Sequence, residues 1–116
     1  MTSYRVVLAT SFKASVRKLK RFRNVNNDVK NAISILLEEP RLGDVIPGGF
    51  GVRKLRISNS DIAKGKSSGY RLLYLVEDEP EPVLYILLLY FKSDRSDVSV
   101  AELQQLLKEL VNEAEE

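Results

Sequence analysis

Histidine and cysteine are both absent from the 116 residues, and the two absences remove most common routes to catalysis. Without histidine there is no His-based triad, no imidazole acid/base pair and no His-ligated metal. Without cysteine there is no disulfide framework and no thiolate metal site, which fits a reducing cytoplasm. Long apolar runs are missing too. The longest, VLYILLLYF at 83–91, has strand length and falls well short of the roughly 18–20 residues of a membrane span. The first residues, MTSYRVVLATSF, lack the apolar stretch and small-residue cleavage site of a signal peptide, so a cytoplasmic protein is expected. The glycines of GGFG at 48–51 do not sit between a strand and a helix, which argues against a nucleotide-binding loop. Acidic residues fall in turns and at the C-terminus rather than at metal-ligand spacing. Metal-dependent chemistry therefore has no evident ligand set to rest on.

What is present is an ordinary globular composition, 44% apolar and 29% charged, and enough chain for a single domain over 1–116 with a modest core. The net charge of +2 conceals an asymmetry. Residues 101–116 carry five glutamates against Lys108, whereas residues 1–100 hold 17 basic and 11 acidic side chains. A basic body with an acidic tail suits contact with a polyanion; a solvated surface with an acidic final helix is the plainer alternative.

The apolar pattern predicts the order β-α-α-β-β-β-α. YRVVLA (4–9) is short and β-branched and reads as a strand. From Ser11, the apolar residues Phe12, Val16, Leu19 and Phe22 recur at helical spacing, with Thr10 or Ser11 as the capping hydroxyl. The outer face of this helix is basic: Lys13, Arg17, Lys18, Lys20, Arg21 and Arg23. A second helix is expected from about Asp28 to the stop at Pro40, forming a helical hairpin with the first. PRLGDVIPGGFG (40–51) reads as a loop. VRKLRIS (52–58), GYRLLYLV (69–76) and VLYILLLYF (83–91) read as strands, the last two as an antiparallel hairpin. Ser99 and Glu102 predict a capping box for the last helix. The expected class is α+β, with the helices packed on one face of a small, mostly antiparallel sheet.

The chemistry left is basic and aromatic. Strand side chains alternate between faces. Lys54, Arg56 and Ser58 share one face of their strand, Arg71 shares a face with Leu73 and Leu75, and Tyr90 has the parity of Ile86, Leu88 and Lys92. If the three strands are neighbours, Lys54, Arg56, Arg71 and Lys92 converge at one end of an exposed face, with Lys64 and Lys66 in the loop nearby. That is a cradle for phosphate, arginine supplying a planar fork and lysine a compact charge. Taken singly, Lys54, Arg56, Lys64 and Lys66 also read as solvated residues, Arg71 as a cross-strand ion-pair partner, and Tyr74, Tyr85 and Tyr90 as packing residues.

SSGYRLLYLV, preceded by RKLRIS and the KGK loop and followed by LYILLLYFKSDRSDVS, resembles the RelE/HigB superfamily of bacterial toxins. GDVIPGGFGVRKLR together with KGKSSGYR is most similar to the HigB branch. The resemblance covers nearly the whole chain. It implies a RelE-like fold and a metal-independent endoribonuclease that cuts messenger RNA in the ribosomal decoding site, with no cofactor and with a co-expressed antitoxin as partner. It further implies that the RNA's own 2′-hydroxyl attacks the neighbouring phosphate. Arg71 matches the arginine of the family's G-Y-R strand and is expected to brace the developing charge. Lys54 and Arg56 match a basic pair, and Lys92 and Arg95 a basic segment, with Lys64, Lys66, Tyr90 and Arg95 as RNA contacts.

The chain departs from the pattern of many RelE-type toxins at Ser93 and Ser99, where an arginine and a tyrosine are common, which leaves the general acid unassigned. A ParE-like gyrase inhibitor is one rival reading. A decayed toxin that binds antitoxin or RNA is another. On an exposed face, Arg71→Ala is expected to remove cleavage and leave stability within about 1 kcal/mol.

Overall fold

The computed structural model describes residues 3–62 and 69–114. It is an α+β fold with three helices and an open five-stranded mixed sheet. The elements are β1 (Arg5–Leu8), α1 (Thr10–Arg17), α2 (Val25–Glu38), β2 (Asp44–Val45), β3 (Arg53–Ile57), β4 (Tyr70–Glu77), β5 (Val83–Phe91) and α3 (Val100–Ala114). The strand order is β1-β5-β4-β3-β2, with β1 parallel to β5 and every other pair antiparallel. The expected β4–β5 hairpin is present. The stretch expected to be all loop contains β2, a two-residue edge strand.

The helices do not share one face. Phe12, Leu19, Val29, Ala32 and Leu36 pack α1, α2 and the turn between them onto Leu55, Ile57, Tyr70, Leu72, Tyr74, Ile86 and Phe91. The opposite face carries Leu73, Leu87 and Tyr90, and there Leu103, Leu106 and Leu110 of α3 close over it. The reason lies in β4 and β5, which are apolar on both faces. Burial of both faces at roughly 25 cal/mol per Å² requires a helical layer on each side.

α1 is shorter than the apolar spacing implies. It stops at Arg17, and Leu19 and Phe22 reach the core from tight turns in which Leu19 N–H bonds Val16 C=O and Phe22 N–H bonds Leu19 C=O. α2 correspondingly begins at Val25 rather than near Asp28. Neither Thr10 nor Ser11 caps α1. Ala9 is the N-cap residue, and the Thr10 N–H donates to the Glu113 carboxylate of α3 at 3.3 and 3.4 Å. Ser11 Oγ is used elsewhere, donating to Leu87 C=O at 2.7 Å, while Ser15 Oγ accepts the Leu89 N–H at 3.0 Å. Where β1 ends, α1 thus satisfies the edge of β5 with hydroxyls, which closes that edge to further pairing.

One irregularity changes the faces of β5. Leu73 pairs with Leu88 but Tyr74 pairs with Ile86, so Leu87 is an extra residue in the ladder. Tyr90 therefore shares its face with Leu88 and Leu87, while Ile86 falls on the α1/α2 side with Leu89 and Phe91. Parity counted along the sequence had placed Tyr90 with Ile86; a bulge reverses the alternation.

Candidate functional site

Register brings four of the expected site residues, Lys54, Arg56, Arg71 and Tyr90, onto one face, the α3 side. Arg56 lies directly opposite Arg71, and Arg71 directly opposite Tyr90. Along the strand, Lys54 faces Leu73, which faces Leu88. Like charges directly opposite on neighbouring strands are destabilising. Among the described strand pairs, Arg56–Arg71 is the only such pair.

The two arginines sit in different environments. Arg56, on β3 near the sheet edge, is exposed. Arg71 is only 3% exposed, which overturns the expectation of an exposed phosphate ligand. β4 is the middle strand of five and both its faces are covered, so a side chain in its first turns has little route to solvent. The Arg71 guanidinium donates to the Tyr70 carbonyl at 3.1 Å. Burial, and then the charge of Arg56, pull its pKa below the ordinary arginine value.

A cleft of about 520 Å³ opens beside this row, between the β2–β3 edge and the start of α3. Lys54, Arg56, Asp44, Asp97 and Ser99 line it. Lys54 Nζ stands 3.7 Å from the exposed Asp97 carboxylate. Ser99 Oγ accepts the Glu102 N–H at 3.1 Å, the first half of the expected capping box. The second half is not made, because the Glu102 carboxylate turns to Arg95 instead, with bonds of 3.0 and 2.5 Å.

Arg95 is consequently a clamp. It forks onto Glu102, donates to the Asp97 carbonyl and lies 5.4 Å from the centre of the Tyr90 ring. Its pKa is raised, first by the hydrogen bond to Glu102. Tyr90, expected as an RNA contact, is 4% exposed beneath α3, and its hydroxyl has no hydrogen-bond partner among the described residues. Lys92 is exposed in the turn after β5, beyond the paired row, with its N–H bonded to the Gly69 carbonyl at 3.0 Å. Lys64 and Lys66 lie outside the described residues. The acids that organise this face, Asp97 and Glu102, escaped the sequence reading in that role. Their signal was present: an arginine seven residues before a helix-cap glutamate, and an aspartate just ahead of the capping serine.

No protein-family model matches the chain. Among the described residues no helix is long and apolar enough to cross a membrane, and no group of three or more acidic side chains is arranged to hold a metal ion.

Three tyrosines give this interior a pH signature. Burial is the first cause that raises the phenol pKa of Tyr70, Tyr74 and Tyr90. Below about pH 10 the phenols are protonated in folded and unfolded chains alike. As pH rises further, the unfolded chain ionises while the fold holds its protons, so stability falls through the folded-state values. Urea unfolding followed across alkaline pH is expected to show a flat folding free energy up to about pH 9 and a steady loss above about pH 10, shallower in Tyr90→Phe. A free energy that stays level well above pH 10 would remove this account of the buried phenols.

Proposed function

We propose that the chain is a RelE/HigB-like toxin, a metal-independent endoribonuclease that cuts messenger RNA on the ribosome and is neutralised by a cognate antitoxin. The observation that carries this reading is the lining of one cleft by Arg56 and Lys54, with Arg71 buried directly opposite Arg56. A phosphate seated against Arg56 relieves the repulsion between the two guanidinium groups. A phosphorane-like centre, with more charge on its oxygens, relieves it further, and that difference is what lowers a barrier.

In the proposed reaction the RNA 2′-oxygen bonds to the adjacent phosphorus and the bond to the 5′-oxygen breaks. The products are a 2′,3′-cyclic phosphate and a 5′-hydroxyl; one proton leaves the 2′-hydroxyl and one is added to the leaving oxygen. Arg56 and Lys54 contact the phosphate, and Arg71 supplies positive field from beneath. Tyr90 lies buried beneath α3 with its phenol pKa raised by burial, so it is not assigned as the general acid.

Primer extension on a defined messenger in a purified translation system tests this. Wild type is expected to give codon-phased cuts that need ribosomes, and Arg56→Ala to reduce them about 10²–10³-fold. An intact messenger in the presence of folded wild-type protein would sink the nuclease reading. The burial of Arg71 and Tyr90 favours a second reading, a module that binds RNA or antitoxin without turnover. It predicts ribosome or RNA binding that weakens in Arg56→Ala, with no cuts. A ParE-like gyrase inhibitor would instead leave transcripts intact and damage DNA.

A further inference from the structure

We infer that Phe50 is a stacking residue for a base of single-stranded RNA, presented on a strained turn next to the Lys54/Arg56 cleft. Its φ is 60°, the one positive value among the described residues that does not belong to a glycine. The turn dictates that value. The Val52 N–H donates to the Gly49 carbonyl at 3.0 Å, and the two residues between them, Phe50 and Gly51 (φ 89°), are both left-handed. This is the type I′ pattern, whose first central position favours asparagine, aspartate or glycine. A bulky aromatic residue there is held against its own backbone preference.

Core packing does not account for the choice. Phe50 belongs to neither core cluster and stays 53% exposed. Of the five tyrosines and four phenylalanines it alone is exposed; the others are buried or half-buried. One exposed apolar side chain is ordinary. One that is also kept in a conformation costly to its residue type points to use. The frame that presents it is tied down by backbone bonds. Gly49 N–H donates to the Ile46 carbonyl and Ile46 N–H to the Val52 carbonyl, both at 2.9 Å. Ile46 and Pro47 in turn wall the cleft that holds Lys54 and Arg56. Four residues of chain put Phe50 no more than about 14 Å from Lys54. An aromatic face beside a cationic cleft suits single-stranded nucleic acid: phosphates meet the cations, and a neighbouring base stacks on the ring.

This use of Phe50 rests on the RNA contact proposed above and does not require cleavage. The test uses the full chain and a short single-stranded RNA carrying 2-aminopurine, with an abasic RNA of the same length as control. Wild type is expected to bind the base-bearing RNA about tenfold more tightly than the abasic one and to quench its fluorescence. Phe50→Tyr keeps a ring and is expected to keep the preference. Phe50→Asn is expected to bind both RNAs alike without quenching. Its urea midpoint is expected to rise, because asparagine before glycine suits a type I′ turn. Arg56→Ala is expected to weaken both RNAs and leave the preference. A preference that survives in Phe50→Asn, a lowered midpoint in that variant, equal binding of both RNAs by wild type, or no binding at all would each overturn the proposal. Base-dependent binding without messenger cleavage would remove the nuclease reading alone, and cleavage unchanged in Phe50→Asn would remove this inference alone.

Discussion

Replacing Gly69 with alanine is expected to lower folding stability by about 2–3 kcal/mol, a large effect for one added methyl group. A Cβ at Gly69 would stand 2.3 Å from the Ile57 carbonyl oxygen and 3.1 Å from the Asn59 nitrogen. Both are backbone atoms, so no side-chain rotation relieves the overlap, and the strands must separate. The next pair in the ladder, Ile57 with Tyr70, is the one that seats Tyr70 in the core, where its ring packs edge-on to Phe22 and Phe91 at 5.8 and 6.0 Å. Gly69 also accepts the Lys92 N–H. Displacement there loosens three segments together, including the Arg56–Arg71 row one step further along. Chemical denaturation of Gly69→Ala beside wild type measures the effect. An unchanged midpoint would mean that β3 and β4 do not approach so closely at this end.

The second large effect separates two arginines that look alike in the sequence. Arg71→Ala is expected to destabilise the fold by about 2 kcal/mol or more, because it empties a buried site in the central strand. Arg56→Ala removes an exposed side chain and is expected to stay within about 0.5 kcal/mol of wild type. Relief of the repulsion across the strand pair works in the same direction for both and so does not hide the contrast. If the proposed function holds, both variants lose cleavage, but only Arg56→Ala loses it in a fold of wild-type stability. Parallel denaturation curves decide the matter; equal losses in the two variants would contradict the burial difference on which the assignment of Arg56 as the phosphate contact rests.

Much of the site's placement was legible in the residues. Alternation in VRKLRIS put Lys54 and Arg56 on one face, alternation in GYRLLYLV put Arg71 with Leu73, and the register joins them as neighbours. The same counting failed in VLYILLLYF, because a run apolar at every position carries no phase. Nothing in it marks Leu87 as the extra residue. The helix caps failed for a related reason. Thr10 and Ser11 have the right hydroxyls at the right place, but Glu113, a hundred residues away, reaches the α1 N-terminus and Ser11 is drawn to the edge of β5. Glu102 was expected to close its own capping box and is taken by Arg95, whose two-bond fork pairs opposite charges where the cap offers a single backbone N–H.

The sequence by itself determined the element types, the order of helices and long strands, the apolar face of each helix and the clustering of cations on one side of β3 and β4. These follow from local periodicity, which backbone geometry sets within a few residues. Tertiary structure alone decided that α3 covers the face opposite α1 and α2, that Arg71 is buried while Arg56 is open, that Arg95 is held by Glu102, and that β2 leaves part of the β3 edge uncovered. Each of these depends on strand order and on contacts between segments far apart in the chain. Burial depends on what packs above a residue, and alternation shows only which way it points.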